Sequence, residues 1–291
     1  MRGPSGRDAL AERTLAFLKR YTQDYEAFFI SWQPRDRNIP TIEGYADVWD
    51  DLYAHAPANK IRALHHTRLN LGSMAPPVLD HLADFTNALT ERYRLAWVNE
   101  DLGIWHLYGK ILPYPLPPIL NREGLNACIR NLRVWGAALH APLRVEFPGF
   151  SDGASFSIGN WHAYDYFREV VQASNAQCTL DVGHLLGWQW QQGRRGEALF
   201  EELERLPLKA CREVHLSGCS IVNGRFVDAH HGVLLEEQFS LLEHLLPLCP
   251  NLEVITYEDP RFDAEGVLLP PTVASYMRLR AIAARWCDTH A

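Results

Sequence analysis

The chain lacks any cluster of basic residues. Its 28 Lys and Arg face 35 Asp and Glu, a formal charge of -7 over 291 residues, so no phosphate-tracking groove is advertised and nucleic acid is not an expected partner. No uninterrupted apolar run approaches the roughly 20 residues that span a bilayer, so a membrane partner is not expected either. The N-terminus has no signal-peptide apolar core, and the six cysteines form no CxxC pair or dense disulfide framework, so a reducing cytoplasm is the expected location. GxxxxGK[ST] and HExxH are absent, which removes the familiar phosphate-loop and single-zinc protease signatures.

What is present is a 47% hydrophobic content, enough to bury a substantial core, in an alternation of two periodicities. Residues 1–8 read as a frayed terminus and 9–21 as an amphipathic helix. Strand-like AFFISW (27–32) follows. Then helix-like 45–56 leads to IRALHHT, 78–93 to RLAWVNED, 124–139 to LRVEF, 164–174 to CTLDV, 198–206 to REVHL and 236–248 to LEVITYE. Strands alternating with helices of this length imply βαβ units, and so many in one domain imply an α/β fold of the TIM-like (β/α) barrel type. The expected organisation is a tail and helix over residues 1–22, then a single barrel domain over 23–291. Seven strands are visible, near residues 28, 63, 96, 144, 180, 214 and 255, where a regular barrel has eight. The first strand is the missing one. The barrel is open there, or the protein starts upstream, or another segment fills the gap.

Barrels of this kind place their chemistry at the C-terminal strand ends. Those ends carry His65 with His66, Glu100 with Asp101, Glu146, Asp181 followed by His184, His215, and Glu258 with Asp259, and the loop after His215 adds Asp228 and His230. So many carboxylates on one rim repel each other by several kcal/mol unless cations neutralise them. A polynuclear metal site is therefore expected, because imidazole and carboxylate suit borderline and hard divalent metals. The stretch Cys211–His231 is its centre, with His215, Asp228 and His230 as candidate catalytic residues. His66 and Glu100 sit one position off the ligating face. His55, His81, His140, His162, His244 and His290 read as surface residues, and His106 and His231 fit either class. Trp105, Trp188 and Trp190 are expected on rim loops, covering the barrel mouth or walling a substrate cleft. Cys219 reads as a structural or gate-lining residue rather than a nucleophile.

In order and spacing these pieces resemble the multinuclear non-heme iron-dependent oxidase family, whose members modify ribosomally made peptides, as in methanobactin synthesis. The residues that carry the likeness are LHHTRLNLGS (64–73), NEDL (99–102), LPYPLP (112–117), VEF (145–147), TLDVGH (179–184), EVHLSG (213–218), Asp228 with His230, and YED (257–259). The resemblance implies metal ligation by His65, Glu146, Asp181, His184, His215, Asp228, His230 and Glu258. Asp101 stands where the family pattern has His, and a carboxylate there is a harder iron ligand. The family's first barrel strand is not visible, in keeping with the count of seven. The resemblance further implies two or three iron ions, mixed ferrous and ferric, dioxygen as co-substrate, oxidation of a cysteine in a precursor peptide, and a separate partner protein that holds the leader peptide.

Two other functions fit the same rim. One is a divalent-metal barrel isomerase or hydrolase, resembling xylose isomerase or endonuclease IV, in which zinc or manganese polarises a carbonyl or activates water. The other is a non-catalytic barrel retained as the scaffold of a peptide-modifying complex.

Overall fold

The structure, a computed structural model, describes residues 6–31, 42–150 and 157–290. All seven expected strands form, and they make one sheet: β1 (Ala27–Ser31), β2 (Ile61–His65), β3 (Trp97–Asp101), β4 (Leu143–Glu146), β5 (Gln177–Asp181), β6 (Cys211–Leu216) and β7 (Val254–Tyr257). The spatial order follows the chain order and every neighbouring pair is parallel. Helices α1 (Gly6–Arg20), α2 (Ile42–His55), α3 (Asp80–Tyr93), α4 (Arg122–Ala138), α5 (Ala163–Ser174), α6 (Val182–Gln191), α7 (Glu236–Leu245) and α8 (Pro270–His290) complete the layers. One continuous apolar core runs from Leu18 to Ile282.

The barrel is nearly closed. Among the described residues β1 pairs only with β2, and β7 only with β6. Both edge strands are only partly buried, whereas β3, β4 and nearly all of β5 and β6 are buried. The missing first strand is thus a seam between β1 and β7, and helices rather than hydrogen-bonded backbone span it. Phe17 of α1 stacks on Phe262 with ring centroids 4.6 Å apart. Tyr276 of α8 packs edge-on against Tyr21 and donates its hydroxyl to Asp24 at 2.7 Å.

Four expectations change. The N-terminal helix begins at Gly6, not at residue 9; residues 1–5 of the expected frayed terminus, and Trp32 of the first strand, lie outside the described residues. Segment 198–206 is not an α-helix but two 3-10 turns, Gly196–Phe200 and Leu203–Arg205, broken by the left-handed Glu202 at φ 63°. The helix after β5 is α6 instead, because Asp181 caps it, accepting from the His184 N–H at 2.7 Å. Trp188 and Trp190 therefore lie on a helix, and Trp105 on a short strand, Ile104–Leu107, paired with Lys110–Leu116. Finally, α8 carries no signal that the alternation revealed.

Two motif glycines are close approaches of backbone to backbone. A Cβ at Gly72 would lie 2.9 Å from the Gly103 carbonyl carbon, and one at Gly218 would lie 2.4 Å from the Gly232 nitrogen. Side chains there would push the rim loops apart.

Phe17→Ala is expected to lower stability by roughly 1–3 kcal/mol by removing a half-buried stacked ring. Hydrogen exchange should then accelerate in β1 and β7 ahead of β5. Equal acceleration across all strands would show that the seam is not the weak edge.

Candidate metal centre

The register that aligns β3 with β4 sets Asp101 beside Glu146, and that of β6 on β5 sets His215 beside Asp181. Strand ends one hydrogen-bonded spacing apart, about 4.8 Å, bring these side chains together. Two groups of potential ligands result. One ligand atom from each of His65, Glu146, His215 and Glu258 lies within 4.8 Å of the others, and Asp101, Glu146 and His184 form a second such group. Glu146 belongs to both. All six residues are buried or nearly so.

Glu146 Oε2 lies 3.2 Å from His65 Nε2 and 3.1 Å from His215 Nδ1, and Oε1 is 3.6 Å from His184 Nδ1. Glu258 Oε1 is 2.8 Å from His215 Nδ1. Asp181, Asp228 and His230 fall outside both groups but adjoin the second. Asp181 caps the helix that carries His184. Asp228 Oδ2 is 3.3 Å from His184 Nε2 and 3.2 Å from His230 Nε2, and its Oδ1 accepts from the Ser217 hydroxyl at 2.6 Å. His230 is the imidazole that meets solvent: its side chain is 41% exposed, and Nδ1 is 3.1 Å from Asp259 Oδ2.

The neighbours of these residues orient them. His65 Nδ1 faces the His66 carbonyl at 3.1 Å, and His184 Nδ1 faces the Phe147 carbonyl at 2.8 Å. A proton on each Nδ1 would leave Nε2 free to ligate, on the side of Glu146 in His65 and on the side of Asp228 in His184, the usual way a backbone carbonyl sets the tautomer of a ligating His. His66 is turned away toward Thr86 and Glu100, and Glu100 accepts from the Arg68 and Leu69 N–H groups.

Residues that the strand-end search missed lie one pleat deeper. Asn99 donates to Glu146 at 2.5 Å and accepts from Thr179 at 2.7 Å. Glu213 accepts from Arg144 at 3.2 Å and Thr256 at 2.7 Å, and lies 3.1 Å from His215 Nε2. The signal was available, since each of these residues precedes a rim residue by two positions and so shares its face of the strand. Phe29 covers the side of the seam, its ring centroid 5.6 Å from His65 and 5.4 Å from His215.

The electrostatics are those of a cation site. Burial and the Glu146 charge push the Asp101 carboxyl up to about 7, and burial with several neighbouring carboxylates outweighs the nearby His184 to do the same to Asp181. Burial disfavours charge on His65, but its contact with Glu146 and the fields of Asp101 and Glu258 outweigh that and raise it to about 9. His184 and His215 are held well above their ordinary value by the same balance, and Glu146 well below its own. Neither nitrogen of the fully buried His215 makes a well-directed hydrogen bond, although carboxylate oxygens lie at 2.8–3.1 Å. Imidazole nitrogens aimed among carboxylates, without directed bonds to them, fit divalent metal ions better than they fit a closed salt-bridge network. Cys219 is buried, and burial together with Asp228 and Asp181 raises its thiol well above the ordinary value, which suits a wall rather than a nucleophile.

Because the ligands must shed protons to bind metal, affinity should depend on pH. In the metal-free protein the imidazole of His65 keeps its proton below about 9, so metal competes with that proton at neutral pH. Apparent affinity is therefore expected to tighten as pH rises from 7 to 9, by roughly tenfold per unit for each proton displaced. Titration calorimetry at several pH values would check this; a flat profile would mean that the imidazoles are already neutral.

The chain matches the family described as RiPP precursor modification enzyme MbnB/TglH/ChrH over residues 51–269; RiPP denotes a ribosomally synthesised, post-translationally modified peptide. It is 27% identical over 175 residues to the UPF0276 protein of Chromobacterium violaceum, covering 60% of this chain and 61% of that protein. It is 28% identical over 159 residues to the UPF0276 protein of Paraburkholderia phytofirmans, covering 54% and 50%. The matched stretch thus spans about half to three-fifths of these curated relatives. A xylose isomerase domain protein from Alicyclobacillus acidocaldarius shares the fold, with a TM-score of 0.53 at 16% identity over 94% of this chain and 92% of that one. At that identity the likeness concerns architecture alone. The family match, which takes in the strand ends from β2 to β7, places the chain among the MbnB/TglH/ChrH RiPP precursor modification enzymes.

Proposed function

We propose that this protein is a multinuclear iron-dependent oxidase that modifies cysteine residues of a ribosomally synthesised precursor peptide, with dioxygen as co-substrate. The observation that carries the proposal is the pair of buried ligand groups sharing Glu146, in a chain that belongs to a peptide-modifying family. His65, Asp101, Glu146, Asp181, His184, His215, Asp228, His230 and Glu258 are the ligand set we assign, for two or three ions. Iron bound there supplies redox capacity toward dioxygen and an affinity for a substrate thiolate.

The chain's own residues divide the remaining work. Asn99 and Glu213 hold Glu146 and His215 from beneath. Phe29 excludes water beside the two imidazoles. His230, partly exposed between Asp228 and Asp259, holds a proton at the mouth, where a reacting peptide could take or return it. A separate partner that holds the leader peptide belongs to the same reading. So does a cytoplasmic setting, which keeps the substrate thiol reduced.

Elemental analysis of protein produced with iron supplied is the direct test, with two or more irons per chain expected. Zinc or manganese in their place would favour an isomerase or hydrolase, and a folded, metal-free protein a scaffold. His215→Ala should lose most of the iron and the activity while the fold is kept; full iron retention would remove His215 from the ligand set. Asp101→His should keep or tighten iron binding, and an unchanged iron content and spectrum would mean that Asp101 does not ligate.

A further inference from the structure

A cleft of about 440 Å3 opens between α6 and the turn of the hairpin formed by Cys219–Val222 and Arg225–Asp228. Phe150, Trp190, Gln191, Arg195, Arg225 and Phe226 line it. It adjoins the metal centre. Gly187 on its floor is three helical residues beyond His184, and Phe226 is two strand residues before Asp228, distances of roughly 5 and 7 Å along the chain. Phe150 follows Gly149, where a Cβ would already lie 3.2 Å from His184 Nε2.

The walls are built rather than incidental. The Trp190 indole N–H donates to the Gly224 carbonyl at 3.1 Å, tying the helix to the hairpin turn. Gln191 donates to the Phe150 carbonyl at 2.5 Å. The Trp190 and Phe226 rings lie 6.1 Å apart, and the Arg195 guanidinium sits 3.5 Å over Trp190. Arg195 and Arg225 are exposed, and among the described residues no carboxylate pairs with either. By contrast, Arg194 and Arg205 close by are engaged by Glu201, Glu202 and Asp165.

This cationic, aromatic cleft stands beside a centre crowded with carboxylates, on a chain of net charge -7. An acidic residue of a bound peptide is repelled from the centre and attracted to the two guanidiniums, while the aromatic walls take up its methylenes and backbone. Arg225 stands three strand residues, roughly 10 Å, before Asp228, and an extended peptide advancing about 3.3–3.6 Å per residue covers that in about three residues. We infer that the cleft binds an aspartate or glutamate of the substrate peptide, about three residues from the residue presented to the metal centre, and thereby sets which residue reacts. The inference rests on the peptide-modifying function proposed above.

The test uses the full chain and fluorescein-labelled heptapeptides containing one cysteine. One carries glutamate three residues before the cysteine, another three residues after it, and each has a glutamine counterpart. Fluorescence anisotropy measures binding, and metal content is measured on the same samples. At least one glutamate peptide is expected to bind roughly five- to tenfold tighter than its glutamine twin, as two exposed charge contacts allow. Arg195→Gln combined with Arg225→Gln should abolish that preference with metal content unchanged. Equal binding of the twins, no binding of any peptide, or a preference that survives in the double variant would each overturn the assignment. Iron-loaded protein with no preference would sink the cleft and leave the oxidase standing, whereas a metal-free chain that prefers glutamate would do the reverse.

Discussion

Glu146 is the residue on which the arrangement turns. It is buried, it belongs to both ligand groups, and it faces His65, His215, His184 and Asn99 at once. Moving a carboxylate out of water costs several kcal/mol even after relaxation, and Asp101, Asp181, Asp228 and Glu258 surround this one. Such a mouth is tolerable only when positive charge fills it, whether as protons on the imidazoles or as metal ions in their place. The raised basicity of His65, His184 and His215 and the weakened acidity of Asp101 and Asp181 express this one constraint.

The layer beneath the rim answers to the same constraint. A barrel interior is ordinarily filled by branched apolar side chains, yet here Asn99, Arg144, Thr179, Glu213 and Thr256 bond to one another and to the rim. Arg144 offsets the fully buried Glu213, reaches Glu253 at 2.5 Å, and lies 4.0 Å over the Trp97 ring. Polar groups this deep rigidify a site when every one is partnered and weaken it when one is not. The ligands therefore stand on a bonded floor instead of an oily one. On the seam side, where no strand among the described residues closes the barrel, Phe29 packs against the two imidazoles.

Function on such a frame is divided between the invariant parts of a barrel and its additions. The barrel strand ends carry most of the candidate ligands, while His184, Asp228 and the cleft that we assign to the peptide belong to α6 and a hairpin inserted after β6. The two are coupled by short chain distances, because Asp181 caps α6 and the hairpin ends at Asp228. On the proposed reading, a peptide seated against the hairpin would lie close to Asp228 and His184.

All seven strands and most helices were legible from local periodicity, since a strand buried on both faces and an amphipathic helix each impose a pattern on neighbouring residues. The strand-end residues were legible for the same reason: the fold class assigns chemistry to one end of every strand. What local pattern could not supply was pairing. That Glu146 would be shared by two groups, that Asp101 would join His184 rather than His65, and that Glu213 would sit under His215 depend on strand register, which is set across residues far apart in the chain. The start of α6 after its cap Asp181 and the break at the left-handed Glu202 were not legible in the alternation, whereas the two hairpins turn at Tyr108–Gly109 and Asn223–Gly224, all at positive φ, a local signal that the alternation does not use. The sequence by itself determined the barrel and the identity of the rim residues, because both follow from patterns a few residues long. Only the tertiary structure decided which carboxylate meets which imidazole and where a cationic cleft stands, because electrostatic partnership is a matter of distances that the linear chain does not contain.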